Sequence, residues 1–96
     1  MDKIALVTGA SKGVGKAISI ELAKQNIKLI LVARNLDDLI KLKKEINKNI
    51  NFHNVKLIKG DVSIKNTIKK IELVCKNTFG LPNILVNNTG GPPSGD

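Results

Sequence analysis

Short apolar runs alternate with amphipathic stretches along the whole of this 96-residue chain. Four of the runs have the length of β-strands, at Ile4–Thr8, Lys28–Ala33, 55–60 and 84–87. They are almost continuously apolar rather than alternating between apolar and polar residues. Because such strands need cover on both faces, the runs predict a parallel sheet that is buried between helices.

The stretches between the strands carry apolar residues at helical spacing. Helices are expected at residues 14–25, 36–49 and 64–79. Asn26 follows the first helix and suits a left-handed C-terminal position. Asn35 and Ser63 lie where the N-caps of the second and third helices belong. The third helix is expected to bury a stripe made of Ile68, Ile71, Cys75 and Phe79.

The resulting order is βαβαβαβ, which predicts an α/β fold with one half of a doubly wound parallel sheet. The expected strand order is 3-2-1-4, with the fourth strand at an exposed edge. Residues 1–90 are interpreted as one domain. Residues 91–96 form a Gly/Pro tail without periodicity.

Charge changes this picture little, although the net charge is +8. The densest group of lysines, between Lys41 and Lys48, alternates with apolar positions and is typical of the wet face of an amphipathic helix. The two aromatic residues, Phe52 and Phe79, are too few for a platform that stacks nucleic-acid bases. We therefore expect no nucleic-acid partner, although a basic binding module stays open as an alternative.

No apolar stretch approaches the roughly 18–20 residues that a membrane-spanning helix needs. The chain enters its first strand at Ile4, so no signal peptide is expected. Cys75 is the only cysteine and cannot form an internal disulfide. These features favour a cytoplasmic protein without a membrane partner. His53 is expected at the surface, and no His/Cys cluster indicates a metal site.

A glycine-rich turn joins the first strand to the first helix. Its glycines have the spacing Gly-x-x-x-Gly-x-Gly, at Gly9, Gly13 and Gly15. Gly9 would allow the tight turn, Gly13 would face a pyrophosphate, and Gly15 would let the helix pack close to the strand. The first N–H groups of a helix lack internal partners and attract anions. The turn, with Ser11, Lys12 and Val14, therefore predicts a dinucleotide site in a Rossmann-type fold.

A P-loop is the competing interpretation of Gly15 and Lys16. That motif needs glycine at position 10 and Ser or Thr at position 17, where this chain has Ala10 and Ala17. The hydroxyl that would bind magnesium is missing, so we reject the P-loop.

The segment from Ile4 to Gly15 resembles the start of short-chain dehydrogenases/reductases, and is most similar to 3-oxoacyl-[acyl-carrier-protein] reductases. Two further motifs agree with that family. Asp61-Val62 resembles its adenine-contacting pair. Asn87-Asn88-Thr89-Gly90 resembles its Asn-Asn-Ala-Gly motif, with Thr89 in place of alanine. The resemblance implies that Asp61 and Val62 contact adenine. It also implies that the segment with Asn87, Thr89 and Gly90 lines the nicotinamide ribose.

Arg34 decides the expected cofactor. It ends the second strand, where an acidic residue would accept hydrogen bonds from the 2′-hydroxyl of NAD. An arginine would instead form a charge-assisted fork on the 2′-phosphate of NADP. Lys12 resembles a second basic position of NADP-preferring members, and Asn35 and Ser11 could add neutral donors. The predicted cofactor is NADP, with NADPH preferred over NADH.

The family's reaction uses a Ser and a Tyr-x-x-x-Lys pair, with an Asn in a water-linked relay. This chain contains no tyrosine, so we assign no catalytic residue. The resemblance implies the cofactor half of a longer NADP-dependent reductase. Its substrate would be a carbonyl on a small molecule or acyl carrier, with 3-oxoacyl as the group that the resemblance suggests, and the parent would be a homodimer or homotetramer. A short, non-catalytic dinucleotide-binding protein is the alternative.

Overall fold

Four parallel strands form one sheet in the computed structural model, which describes residues 3–88. The elements in chain order are β1 (Ile4–Thr8), α1 (Gly13–Lys24), β2 (Lys28–Ala33), α2 (Leu36–Ile50), β3 (Val55–Lys59), α3 (Lys65–Asn77) and β4 (Ile84–Val86). The strand order is β3-β2-β1-β4, so the predicted doubly wound half-sheet is confirmed. The predicted tail at 91–96 lies outside the described residues, and the domain assignment stays a prediction.

The register brings the carboxyl ends of the strands to one edge of the sheet. Ile4 of β1 is opposite Lys28 of β2, and Leu29 is opposite Val55 of β3. On the other side of β1, Ala5 is opposite Ile84 of β4. All loops that follow a strand therefore emerge at the same edge, where open α/β sheets bind their ligands.

Helices α1 and α2 cover one face of the sheet with a large apolar core. Its fully buried members include Val7, Leu29, Leu31, Leu39, Leu42 and Ile46. An ion pair between Lys16 and Glu45, with 3.5 Å between nitrogen and oxygen, also joins the two helices. This face accounts for most of the apolar burial that stabilises the chain.

Only α3 covers the opposite face among the described residues. The core here is smaller and consists of Ile4, Leu6, Ile30, Val32, Ile58 and Cys75. Burial raises the pKa of the Cys75 thiol, as expected for the structural cysteine that sequence analysis predicts. Leu85 alternates with two inward residues of β4 and remains 66% exposed.

The helix ends agree with the predictions at two of the three predicted residues, Asn26 and Asn35. Asn26 has a φ of 63°, as expected of a left-handed position after α1. Asn51 also has a positive φ, 56°, where α2 ends. At the start of α2, Asn35 Oδ1 accepts a hydrogen bond from the Asp38 backbone N–H at 3.1 Å. Asn35 is therefore the N-cap, as predicted.

The predicted N-cap of α3 is wrong. Ile64 occupies that position, and no side chain caps the helix. The Ser63 hydroxyl instead donates to Asp61 Oδ1 at 2.7 Å. Serine hydroxyls bond equally well to nearby side chains in turns, and here the turn after β3 competes with the cap.

The buried stripe of α3 also differs from the prediction. Ile68 is 49% exposed, and Thr67 is buried in its place, with Cys75 further along the helix. The stripe that contacts the sheet is therefore shifted by one residue at its start. No helix in the part of the chain from residue 3 to residue 88 is both long and apolar enough to cross a membrane.

Candidate cofactor-binding site

A cleft of about 330 Å³ opens at the carboxyl edge of the sheet, above β1, β2 and β3. It is lined by Gly9, Ser11, Lys12, Val32, Ala33, Arg34, Asn35, Gly60, Asp61, Val62, Ser63 and Asn88. The strand order reverses between β1 and β4, so the cleft borders the switch point where such sheets hold their ligands.

The glycine-rich turn forms one wall of the cleft. Gly9 has a φ of 59°, a left-handed conformation that residues with a Cβ rarely adopt. The next residue, Ala10, is fully buried and its N–H donates to the Val32 carbonyl at 3.1 Å. The turn is thus hydrogen-bonded to β2 and also continuous with β1. Gly13, with a φ of 54°, begins α1, and a Cβ there would lie in open space.

Gly15 is the glycine whose missing side chain matters most for packing. A Cβ at this position would lie 2.2 Å from the Gly9 carbonyl oxygen and 2.7 Å from Asn88 Nδ2. The close approach predicted between helix and strand is thus a contact of α1 with the turn itself. The first turn of α1 can therefore direct its unbonded N–H groups toward the cleft.

Thr8 links the end of β1 to the segment after β4. Its Oγ1 accepts a hydrogen bond from the Asn88 backbone N–H at 2.8 Å and lies 3.0 Å from the Asn88 carbonyl oxygen. Asn88 Nδ2 donates to the Gly9 carbonyl at 3.3 Å. Asn87 Oδ1 is 3.2 Å from Thr8 Oγ1, on the same network. These bonds hold the fourth strand's loop against the glycine turn.

Two basic residues face the cleft from different elements. Arg34 follows β2 directly and is exposed, while Lys12 precedes α1. Asn35 lies beside Arg34. Its side-chain oxygen, Oδ1, already accepts the N-cap hydrogen bond from the Asp38 backbone N–H. Its amide N–H₂ group is therefore the part of the side chain that can donate to a ligand. A cleft lined by cations and neutral donors suits an anion such as a phosphate.

Asp61 supplies the opposite charge on the wall formed by the loop after β3. The Ser63 backbone N–H donates to Asp61 Oδ1 at 2.9 Å, and the Ser63 hydroxyl donates to the same atom. These two hydrogen bonds, and the positive charge of Arg34, lower the pKa of the Asp61 carboxyl. Asp61 is thus an ionised acceptor at neutral pH. Val62 beside it packs against the smaller core.

Most of the residues predicted to bind the cofactor come together, but some do not line the cleft. The lining residues among them are Gly9, Ser11, Lys12, Arg34, Asn35, Asp61 and Val62. Four others lie nearby without lining it, namely Gly13, Val14, Gly15 and Asn87. Thr89 and Gly90 lie outside the described residues. All of these assignments remain predictions.

Sequence reasoning did not assign two polar residues of the cleft, Ser63 and Asn88. Ser63 was expected to cap a helix, and Asn88 was expected only as a strand-end or turn residue. Of the adjacent pair Asn87-Asn88, sequence analysis assigns Asn87 to the site, whereas it is the Asn88 amide that donates to the Gly9 carbonyl. Among residues 3–88, no group of three or more His, Cys, Asp or Glu side chains could hold a metal ion. His53 is exposed, as predicted, beside Asn51.

The sheet order and the glycine turn define an α/β protein of the Rossmann type. Comparison with known families adds the next level, because the model of the short chain dehydrogenase family matches residues 3–96. The chain therefore belongs to the short-chain dehydrogenase family, as its motifs predict.

Curated relatives agree with this family assignment. An uncharacterized oxidoreductase of Staphylococcus aureus is 34% identical over 89 residues, which cover 93% of this chain and 37% of that protein. The NADPH-dependent reductase BacG of Bacillus subtilis is 38% identical over 96 aligned residues, covering 95% of this chain and 36% of that protein. The chain thus spans little more than a third of the length of these relatives.

A solved structure shares the fold closely. The L-sorbose reductase of Gluconobacter frateurii, solved in complex with NADPH and L-sorbose, superposes with a TM-score of 0.87 at 31% identity. The match covers 94% of this chain and 34% of that enzyme. NADPH, the nucleotide named with this enzyme and with the Bacillus relative, is the one that sequence analysis predicts.

Proposed function

We propose that this chain is the cofactor-binding part of an NADP-dependent short-chain dehydrogenase that reduces a carbonyl substrate. The observation that carries the proposal is the cleft beside the glycine turn, which Arg34 and Lys12 both line. Family membership and the two NADPH-linked relatives support the same cofactor. A 3-oxoacyl group is the more specific substrate we propose, by resemblance alone.

The preference for NADPH over NADH follows from the end of β2. A carboxylate at this place would accept the 2′-hydroxyl of NADH and repel a phosphate. This chain has Arg34 there, its only arginine, and an arginine can bind a phosphate through two parallel N–H groups. Lys12, which precedes α1, adds a further cation, and the Asn35 amide adds a donor next to Arg34. Together they neutralise the 2′-phosphate that distinguishes the two nucleotides.

The bound nucleotide would supply a hydride to the carbonyl carbon of the substrate. The contribution of this chain is to bind the dinucleotide and to orient it. The glycine turn and the start of α1 would hold the pyrophosphate. The loop after β3 would hold the adenine, and the segment from Asn87 to Gly90 would approach the nicotinamide ribose. The chain has no tyrosine to donate the proton, so that group would come from outside these residues.

We also infer that residues 1–90 act as the dinucleotide-binding domain of a longer, cytoplasmic, homo-oligomeric reductase, with 91–96 leading into its catalytic half. Two features support this. Relatives are almost three times as long as the matched region. The outer edge of β4 carries no further strand among the described residues, and Leu85 beside it is largely exposed. An open apolar edge favours pairing with further chain.

The test is a charge reversal at the end of β2. Arg34→Asp removes a charge-assisted hydrogen bond and adds repulsion, so NADPH binding should weaken by more than about 1.5–3 kcal/mol. NADH binding should be kept or strengthened, because the new carboxylate can accept a hydrogen bond from the 2′-hydroxyl. Lys24→Asp is the matched control, since it makes the same charge change at the far end of α1, about 17 Å from the turn. An NADPH dissociation constant within error of the parent in Arg34→Asp would contradict the assignment.

A further inference from the structure

Ser63 makes hydrogen bonds that capping of the following helix does not explain. It lies in the loop between β3 and α3, and it lines the cleft together with Asp61. The N-cap of α3 is Ile64, and no side chain caps that helix. Both donors of Ser63, the backbone N–H and the hydroxyl, bond to one atom, Asp61 Oδ1, at 2.9 and 2.7 Å.

Two donors on one carboxylate oxygen fix the whole group. With Oδ1 held, rotation about the bond between Cβ and the carboxyl carbon of Asp61 would break both hydrogen bonds. No residue in the described range, 3–88, donates a hydrogen bond to the second oxygen, Oδ2. Asp61 lines the cleft, so Oδ2 is an oriented acceptor that is available to a ligand. The ionised carboxyl can accept hydrogen bonds and cannot donate them.

An oriented acceptor distinguishes purines by the group at their sixth position. Adenine carries an amine there, which donates to a carboxylate. Hypoxanthine carries a carbonyl oxygen, which repels one. A site with an oriented acceptor favours a ligand that carries the matching donor over one that lacks it. The preference depends on how well the acceptor is held in position.

We propose that Ser63 is a positioning residue for base recognition, which holds Asp61 so that its second oxygen selects an adenine amine over a hypoxanthine carbonyl. The inference rests on the proposed function, because it assumes that the cleft binds a dinucleotide. It adds a residue that acts through Asp61 and does not itself touch the base. A role in the loop's structure alone would affect all nucleotides equally.

The experiment measures the dissociation constants of NADPH and of its deaminated analogue, in which hypoxanthine replaces adenine. The parent chain is expected to bind NADPH about tenfold more tightly than the analogue, the effect of one charge-assisted hydrogen bond. In Ser63→Ala this ratio should fall by roughly three- to tenfold, through weaker binding of NADPH. Ser63→Thr keeps the hydroxyl and should restore the ratio. Thermal unfolding of each variant checks that the chain is still folded.

Three results would overturn the inference, and they separate it from the proposed function. An unchanged ratio in Ser63→Ala, or an equal loss of both nucleotides, would leave Ser63 a loop residue only. Tight binding of NADPH without base preference in the parent would contradict the role of Asp61 while the cofactor assignment stands. A parent chain that binds neither nucleotide would contradict both proposals.

Discussion

The first and second halves of the chain are built differently, although both are made of strands that alternate with helices. Every residue of β1 and all but the first of β2 are buried, and α1 and α2 close a large core over them. In the second half only two residues of β3 are buried and none of β4. The first half is thus a well-buried scaffold that supports the glycine turn. The second half adds polar side chains to the cleft and leaves apolar side chains uncovered.

The sequence of β3 explains part of this difference. Lys56 and Lys59 are exposed in a strand whose outer edge faces solvent. Charged residues on an edge strand discourage pairing with other chains. β4 has no such protection, since it is made of Ile84, Leu85 and Val86. The β3 edge is therefore protected against pairing with a further strand, whereas the β4 edge is suited to it.

The largest expected effect tests the unequal burial directly. Leu39→Ala removes a fully buried side chain from the core under α2, and should lower the free energy of unfolding by about 2–5 kcal/mol. Leu85→Ala makes the same chemical change in β4, where the side chain is 66% exposed, and should cost less than about 0.5 kcal/mol. Urea unfolding of both variants measures the difference. Equal losses would mean that the two halves are equally closed.

The next effect concerns the contact between α1 and the turn. Gly15→Ala would force a Cβ against the Gly9 carbonyl, so the helix or the turn must shift, at a cost of about 1–3 kcal/mol in stability. NADPH affinity should fall as well, because the helix N-terminus moves. Gly13→Ala is the control, since its Cβ meets nothing and only the positive φ is strained. A Gly15→Ala chain with parental stability and affinity would contradict the close approach.

The Thr8 hydroxyl joins the two halves at the carboxyl edge of the sheet, where it links the end of β1 to the segment after β4. Thr8→Val keeps the shape of the side chain but leaves the Asn88 backbone N–H without its acceptor, which should cost about 1–3 kcal/mol. Thr8→Ser retains the hydroxyl and should stay close to the parent. Amide hydrogen exchange at Asn88 reports the bond locally. Unchanged protection of that amide in Thr8→Val would show that the linkage does not stabilise the edge.

The smallest effect concerns the N-cap of α2. Asn35→Ala removes the cap of α2 and should cost about 0.5–2 kcal/mol in unfolding free energy. Asn35→Asp keeps an accepting oxygen and so should preserve stability, while its charge weakens binding of a phosphate. Chemical unfolding and NADPH titration of the same two variants separate the roles. Loss of stability in Asn35→Asp would contradict the capping geometry.

Patterns that depend on burial predicted the fold well. Continuous apolar strands and helical spacing determined the element order, and with it the strand order β3-β2-β1-β4. Local chemistry also predicted Asn26 and Asn35, because a left-handed turn and an N-cap each need a particular kind of side chain. The glycine turn was recognised because its flanking strand and helix are those that a phosphate site requires.

The remaining features depend on contacts between residues that the pattern leaves equivalent. Ser63 had two nearby partners, the start of α3 and Asp61, and only the loop geometry decides between them. Ile68 and Thr67 are both compatible with a helical stripe, and the packing of α3 on the sheet buries the polar one. Such choices are made by packing in three dimensions, which spacing along the chain does not encode.

The most direct test of the account is a titration of the unmodified chain with NADPH and with NADH at one ionic strength, followed by calorimetry or by nucleotide fluorescence. Arg34, Lys12 and Asn35 line the same cleft, and the 2′-phosphate is the only difference between the two nucleotides. The account predicts saturable binding of both, with NADPH at least about tenfold tighter. Equal affinities, or tighter binding of NADH, would contradict it.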